Sequence, residues 1–176
     1  MLPELRTSRL SLRPVHAADL DWLHALLINA EVRRYLCDDR IMPRQEVADL
    51  LARTIGLAPQ GLGMWVASRA DGAQVGFVGL QPTSDFAARA WPDFAGEIEP
   101  TIALSPHAQG QGLATEVLHE VLRYGFDELK RQRIVAFADE PNAASRRMLS
   151  RAGFTDVGGC MGLKYRLRCF ELRKPS

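Results

Sequence analysis

The sequence predicts a protein of the α/β or α+β class built on a mixed sheet, and three observations lead there. Apolar and polar residues alternate in short runs through the middle and the end of the chain, and stretches of helical spacing separate them. One segment, from "EIEPTIALS" through residues 112 to 130 to "RIVAFAD", reads as strand, helix and strand, which requires a crossover.

Taken in order, residues 9 to 13, "RLSLR", alternate as a half-buried strand does, and Pro14 ends the run. A helix follows: Asp19 is placed to cap it, and Leu20, Leu23, Leu27 and Ala30 recur at helical spacing, with Leu26 widening the apolar stripe. Residues 45 to 56 repeat the pattern through Val47, Leu50, Leu51 and Ile55. "MWVASRADGAQVGFVGLQ" holds two apolar strands around a turn at Asp71 and Gly72. Residues 81 to 96 then break the periodicity. After the crossover, residues 142 to 151 read as a helix, and "KYRLRCFELR" closes the chain as an alternating strand.

The whole chain sets limits on function. With 176 residues, 47% of them hydrophobic, it is expected to form one domain, residues 1 to 176. A formal net charge of +1 gives no general attraction to nucleic acid or to an anionic membrane. Cys37, Cys160 and Cys169 are odd in number and widely spaced, without the histidines of a metal site, as expected of a reduced cytoplasmic protein that needs no metal. No apolar run approaches the roughly 20 residues of a membrane span.

The chemistry gathers around "SPHAQGQGLATEV", residues 105 to 117. A helix start leaves its first amides without partners and carries about half a positive charge. Gly110 and Gly112 permit positive φ and leave those amides bare, so the segment is either a tight strand-to-helix turn or an anion cradle. It lacks the GK[ST] of a nucleoside-triphosphate loop and the third glycine of a dinucleotide fingerprint.

A second segment, "NAASRRMLSRAGF", is a short helix that Asn142 can cap and Gly153 ends, with Phe154 returning to the core. Together the two segments resemble the GNAT family of acyl-CoA-dependent N-acetyltransferases. Gln109, Gly112 and Ala114 fit its QxxGxA signature, and Asn142, Ser145, Met148, Gly153 and Phe154 fit its NxxSxxLxxxxGF segment with methionine for leucine. "RTSRLSLRPVHAADLDWL" and "VGFVGLQ" resemble the branch that holds the RimJ/RimL-type ribosomal-protein N-terminal acetyltransferases.

The resemblance implies a GNAT fold, its sheet mostly antiparallel and splayed between the strands that bind coenzyme A. It implies acetyl-CoA as cosubstrate, with Gln109, Gly110, Gln111, Gly112, Leu113, Ala114 and Thr115 around the pyrophosphate. The strand ending at Ile102 and Leu104 would pair with the pantetheine arm, which Asn142 would also bond. It implies Glu99 as proton acceptor, in preference to Glu97, and Ser145 as the donor to the leaving thiolate, since Leu149 stands where many relatives carry a tyrosine. The acceptor is a protein N-terminus or a small-molecule amine such as a polyamine, amino acid or aminoglycoside; a module that only senses acyl-CoA is the rival class. The state is monomer or homodimer. "PTSDFAARAWPDFAGE", residues 82 to 97, is either an aromatic wall beside a cationic amine or a loop packing its aromatics inward, and Asp38 and Asp39 are candidates for the opposite lip.

Overall fold

In the computed structural model, which describes residues 2 to 174, the strands form two antiparallel sheets. The first runs in sequence order: β1 (Leu5–Arg6), β2 (Ser11–Pro14), β3 (Gly63–Ser68), β4 (Gln74–Pro82) and β5 (Ile98–Leu104). The second holds β6 (Arg133–Asp139), β7 (Thr155–Met161) and β8 (Arg166–Arg173), with β8 in the middle. β5 and β6 lie side by side yet share no ladder, which is the expected splay.

Helices cover both faces of the first sheet because its strands are apolar on both. Trp65, Ala67, Val75, Val78, Leu80, Ile98 and Leu104 meet α5 (Leu113–Asp127) through Leu113, Val117, Leu118 and Val121. Met64, Val66, Phe77 and Ala103 point the other way, against Leu23, Leu26 and Leu27 of α1 (Leu20–Ile28), Val32 of α2 (Ala30–Leu36) and Val47 and Leu51 of α3 (Arg44–Gly56). Each fully buried Val, Leu, Ile, Phe or Met among them contributes roughly 1.5–3 kcal/mol. Polar groups carried inward are matched: the Trp65 indole donates to the Pro3 carbonyl at 2.7 Å and the Tyr124 hydroxyl to that of Gly61 at 2.9 Å.

Several sequence expectations change. The first helix ends at Ile28, where Asn29 accepts from the Glu31 and Val32 amides and starts α2. Asp19 precedes α1 without capping it, because its carboxylate is drawn to Arg13 at 2.6 and 2.8 Å and accepts from the His16 amide. Residues 81 to 96 are ordered: β4 extends to Pro82, Ser84 caps α4 (Asp85–Ala90), and a 3-10 turn spans Pro92–Phe94. The segment packs its aromatics inward. Phe94 is fully buried against Val135 of β6 and Cys169 of β8, with Trp91 and Phe137 around it. Arg133 ties the insert down, reaching Asp93 at 2.8 Å, Glu97 at 2.9 Å and Glu171 at 3.3 Å.

The register of β5 decides which groups face the gap. The Ser105 amide donates to the Val75 carbonyl and the Thr83 amide to that of Glu97, so odd-numbered residues of β5 turn their backbone groups to β4. Ile98, Pro100, Ile102 and Leu104 therefore turn theirs away from β4. Pro100, with no amide hydrogen, is tolerated because that edge has no ladder to lose.

Gly76 lies opposite Leu104 with φ 155°, and a Cβ there would collide with the Ala103 carbonyl oxygen and press on the Leu104 backbone at 2.8 Å. Gly76→Ala should therefore destabilise the fold by about 1–3 kcal/mol. The expected outcome is a lower urea midpoint with an unchanged slope, and an unaltered midpoint would contradict this packing.

Candidate active site

The loop after β5 is built as an open anion cradle. Gly110 and Gly112 adopt φ of 72° and 75°, and the Gly112 carbonyl accepts the first bond of α5, from Glu116 at 3.1 Å. The amides of residues 110 to 115 have no acceptor among the described residues, and a Cβ on Gly110 would meet nothing within 4 Å. Gln109, Gly110, Gln111 and Gly112 are exposed, Leu113 anchors the turn in the core, and Ala114 and Thr115 are half-buried. Such a run of free amides at the positive end of a 15-residue helix suits a diphosphate.

The cradle is held from outside by groups that sequence reasoning missed. Arg9 donates from Nε to Glu116 at 2.6 Å and from Nη1 to the Gln111 carbonyl at 2.9 Å, while its amide and the Ser8 hydroxyl also reach Glu116. From the β3–β4 turn, Arg69 donates to Gln111 Oε1 at 2.7 Å, and Gln111 Nε2 donates to the His107 carbonyl at 2.7 Å. Two guanidinium groups thus flank a loop whose residues carry no charge. Both lie far from the loop in sequence, and nothing in the sequence around Arg9 or Arg69 marks either as its partner.

Next to the cradle, the open edge of β5 presents the backbone of Ile102 and Leu104. The Gln109 side-chain amide donates to the Leu104 carbonyl at 3.1 Å, so this signature glutamine closes the strand end. An extended chain bearing amides can add along the remaining groups as a further strand.

Glu99 shares a sheet face with Thr101 and Ala103, the face covered by α1, α2 and α3. Some of its surface remains accessible, yet protein crowds its carboxyl; burial pushes its pKa up to about 7, against a weaker pull from a backbone hydrogen bond at Ser84. Glu97 does not join it. That carboxylate lies before β5 and is spent on Arg133.

Asn142 caps α6 (Ala143–Arg151): its Oδ1 accepts from the Ser145 amide at 3.1 Å, which leaves its NH2 to donate elsewhere. The Ser145 hydroxyl is half-buried with no partner among the described residues, and Leu149 is buried beside it. Leu104, Ala108, Leu113, Ala138 and Leu149 belong to one core cluster, so the ends of β5 and β6 converge with the start of α5 and with α6. Tyr124 is in the core and Tyr165 stacks on Tyr35 at 5.9 Å.

Beyond the convergence lies a carboxylate that sequence reasoning did not single out. Asp139 ends β6 just before Asn142; burial, and then the charge of Asp38 between α2 and α3, push its pKa up to about 6, with Lys164 opposing. Asp39 is already paired, to Lys164 at 3.0 Å and Arg33 at 3.3 Å. Of the two residues expected at the opposite lip, Asp39 is therefore engaged in ion pairs, while Asp38 lies near enough to Asp139 for its charge to act there.

Comparison with known proteins identifies this architecture. Residues 9–155 match the family model described as an acetyltransferase (GNAT) domain. The spermidine N(1)-acetyltransferase of Escherichia coli K12 is 30% identical over 150 residues, spanning 85% of this chain and 75% of that one. Among solved structures, a putative GNAT-family acetyltransferase from Bordetella pertussis superposes with a TM-score of 0.82 at 25% identity, over 96% of this chain and 98% of that one. RimL, the ribosomal L7/L12 α-N-protein acetyltransferase solved with coenzyme A, superposes at 0.77 with 17% identity, over 97% and 98% of the two chains, and so shares the fold.

The clasp on the cradle has a pH signature. Burial alone would raise Glu116, but hydrogen bonds from Thr7, Arg9 and Ser8 outweigh it and hold the carboxyl at about 2, below its ordinary 4.5. The folded state therefore binds fewer protons than the unfolded chain, so this contribution is complete above pH 4.5 and is lost as the pH falls through about 2. Thermal midpoints of the wild type and Glu116→Gln should be furthest apart above pH 4.5 and converge toward pH 2. A gap that stays constant would show that the clasp carries no such charge.

Proposed function

This chain belongs to the GNAT acetyltransferase family, and from that premise we propose that it transfers acetyl from acetyl-CoA directly to the primary amine of a small cationic acceptor. Glu99 carries the reading. An amine of pKa about 10 is protonated near neutral pH and must lose a proton before it attacks, and a base poised near the working pH receives that proton best. Glu99, held at about 7 on the strand that borders the gap, has this property.

In the proposed complex the amides of residues 110 to 115 take the pyrophosphate, and the open edge at Ile102 and Leu104 takes the peptide-like arm as an added strand. The NH2 of Asn142 donates to that arm. The Ser145 hydroxyl donates to the departing sulfur, a hydrogen bond being what it can supply in place of a proton.

The acceptor class rests on Asp38 and Asp139. Two neighbouring carboxylates, one of them buried, repel each other and are relieved by a ligand with more than one positive charge. A polyamine meets that need, in keeping with the relative named for spermidine. A protein N-terminus, the acceptor suggested by the RimJ/RimL resemblance of the opening segment, brings one ammonium to a pair that Lys164 already offsets in part, and so fits it less well than a polyamine.

Acetyl-CoA at about 100 times its dissociation constant should stabilise the protein by roughly 2.7 kcal/mol, and Gly112→Trp should abolish that shift. With spermidine as acceptor, kcat/KM should rise with pH through about 7 as Glu99 loses its proton. Glu99→Gln should lower the rate by about 10²–10⁴ and remove that limb while leaving acetyl-CoA affinity intact. Thiol release with an N-terminal peptide but none with polyamines would transfer the assignment to protein N-termini; acetyl-CoA binding without release on any amine would make the chain a sensor.

A further inference from the structure

We propose that the chain carries a second anion-binding site, separate from the acetyl-CoA cradle, that accepts a small phosphate-bearing molecule in the groove between α6 and the β7–β8 edge. The groove encloses about 330 Å³ and is lined by Arg146, Arg147, Ser150 and Arg151 of α6, Asp156 of β7 and Phe170 of β8. Its charge is one-sided. Asp156 is occupied by Arg168, at 2.7 and 3.0 Å, so it neutralises that arginine and leaves three guanidinium groups without an ion-pair partner among the described residues.

Arg146 is the strongest sign. Its Nε is buried and has no hydrogen-bond acceptor among the described residues, a condition that native proteins rarely tolerate without a ligand or an ordered water. The neighbouring carboxylate does not satisfy it: Arg146 acts on Asp156 only through its charge. Forked guanidinium donors match phosphate oxygens in pairs, and a phosphate monoester carries about −1.5 to −2, closer than a carboxylate to what three arginines need. Ser150 adds a hydroxyl at the exposed rim, and Phe170 gives the floor an apolar surface.

The site lies on a different side of α6 from the acetyl-transfer site. At 3.6 residues per turn, Arg146 and Ser150 stand roughly 100° and 140° around the helix from Ser145. The helix body, with Leu149 packed beneath it, separates the two. The groove stands on its own residues and does not require the acetyltransferase reading.

Two sources of phosphate must be told apart: a separate small molecule, and the 3′-phosphate of coenzyme A itself. Inorganic pyrophosphate titrated calorimetrically into the full chain saturated with coenzyme A should reveal one saturable site. Arg146→Met and Arg151→Gln should each weaken it about 10-fold or more, the scale of one charge-assisted hydrogen bond, with coenzyme A affinity unchanged. No saturable heat in the wild type, or equal binding by the variants, would overturn the proposal. So would a site that survives saturation with dephospho-coenzyme A but vanishes with coenzyme A, because the arginines would then belong to the cosubstrate. If coenzyme A itself fails to bind, the same titration of the free protein must still lose one pyrophosphate site in Arg146→Met, so failure of the groove is visible apart from failure of the transfer reaction.

Discussion

β5 is hydrogen-bonded to β4 along one edge and left open along the other, where β6 approaches without joining. Backbone donors and acceptors left unpaired in a protein interior are costly, so an opening of this kind persists only if it is wet, blocked or filled. Blocking accounts for part of this edge, and the rest is left open. Pro100 removes one donor from the edge, Gln109 covers the carbonyl of Leu104, and the groups of Ile102 remain for an extended, amide-bearing ligand. The cradle of free amides begins where this edge ends, so on the proposed reading one strand would align both the diphosphate and the arm that follows it.

The two-residue period of the same strand separates the remaining tasks. Ile98 and Leu104 join the core under α5, whereas Glu99, Thr101 and Ala103 face the layer of α1, α2 and α3. Burial raises the pKa of the Glu99 carboxyl, and the backbone hydrogen bond from Ser84, in the insert between β4 and β5, pulls it the other way. Arg133 holds that insert to the second sheet through Asp93 and Glu97. Glu97, two residues earlier, is half-buried with its charge paired to Arg133, so it does not share the environment of Glu99.

What could be read in the sequence had a local cause. The positive φ of Gly110 and Gly112, the cap at Asn142 and the apolar stripe of α5 depend on neighbours a few residues away. β7 was not recognised because "TDVGGCM" has two glycines and no alternation; its pairing with β8 makes it a strand. The insert looked irregular for the opposite reason, since Phe94 and Trp91 are spaced for a partner sheet some forty residues further on. Arg9, Arg69 and Asp139 escaped notice because each is defined by what folding brings beside it. Asp19 has every local mark of a helix cap, but it is buried beside Arg13, six residues before it, and that arginine outcompetes the helix amides.

The same logic bears on the missing tyrosine. Leu149 is buried and belongs to the core that joins α5 to α6, so this position supports the site's walls and offers no proton. A thiol of pKa near 8.5 is a tolerable leaving group at neutral pH, and a hydrogen bond lowers the cost of its departure without full proton transfer. The Ser145 hydroxyl, half-buried and without a partner among the described residues, would meet that lesser requirement in the proposed reaction, and the Ser145 amide is fixed by Asn142. On the proposed reaction the demanding proton transfer is then on the acceptor side, from ammonium to Glu99. In that proposal the carboxylates divide the work: Glu99, with a pKa near 7, would receive the proton, and Asp38 with Asp139 would attract the cation that gives it up.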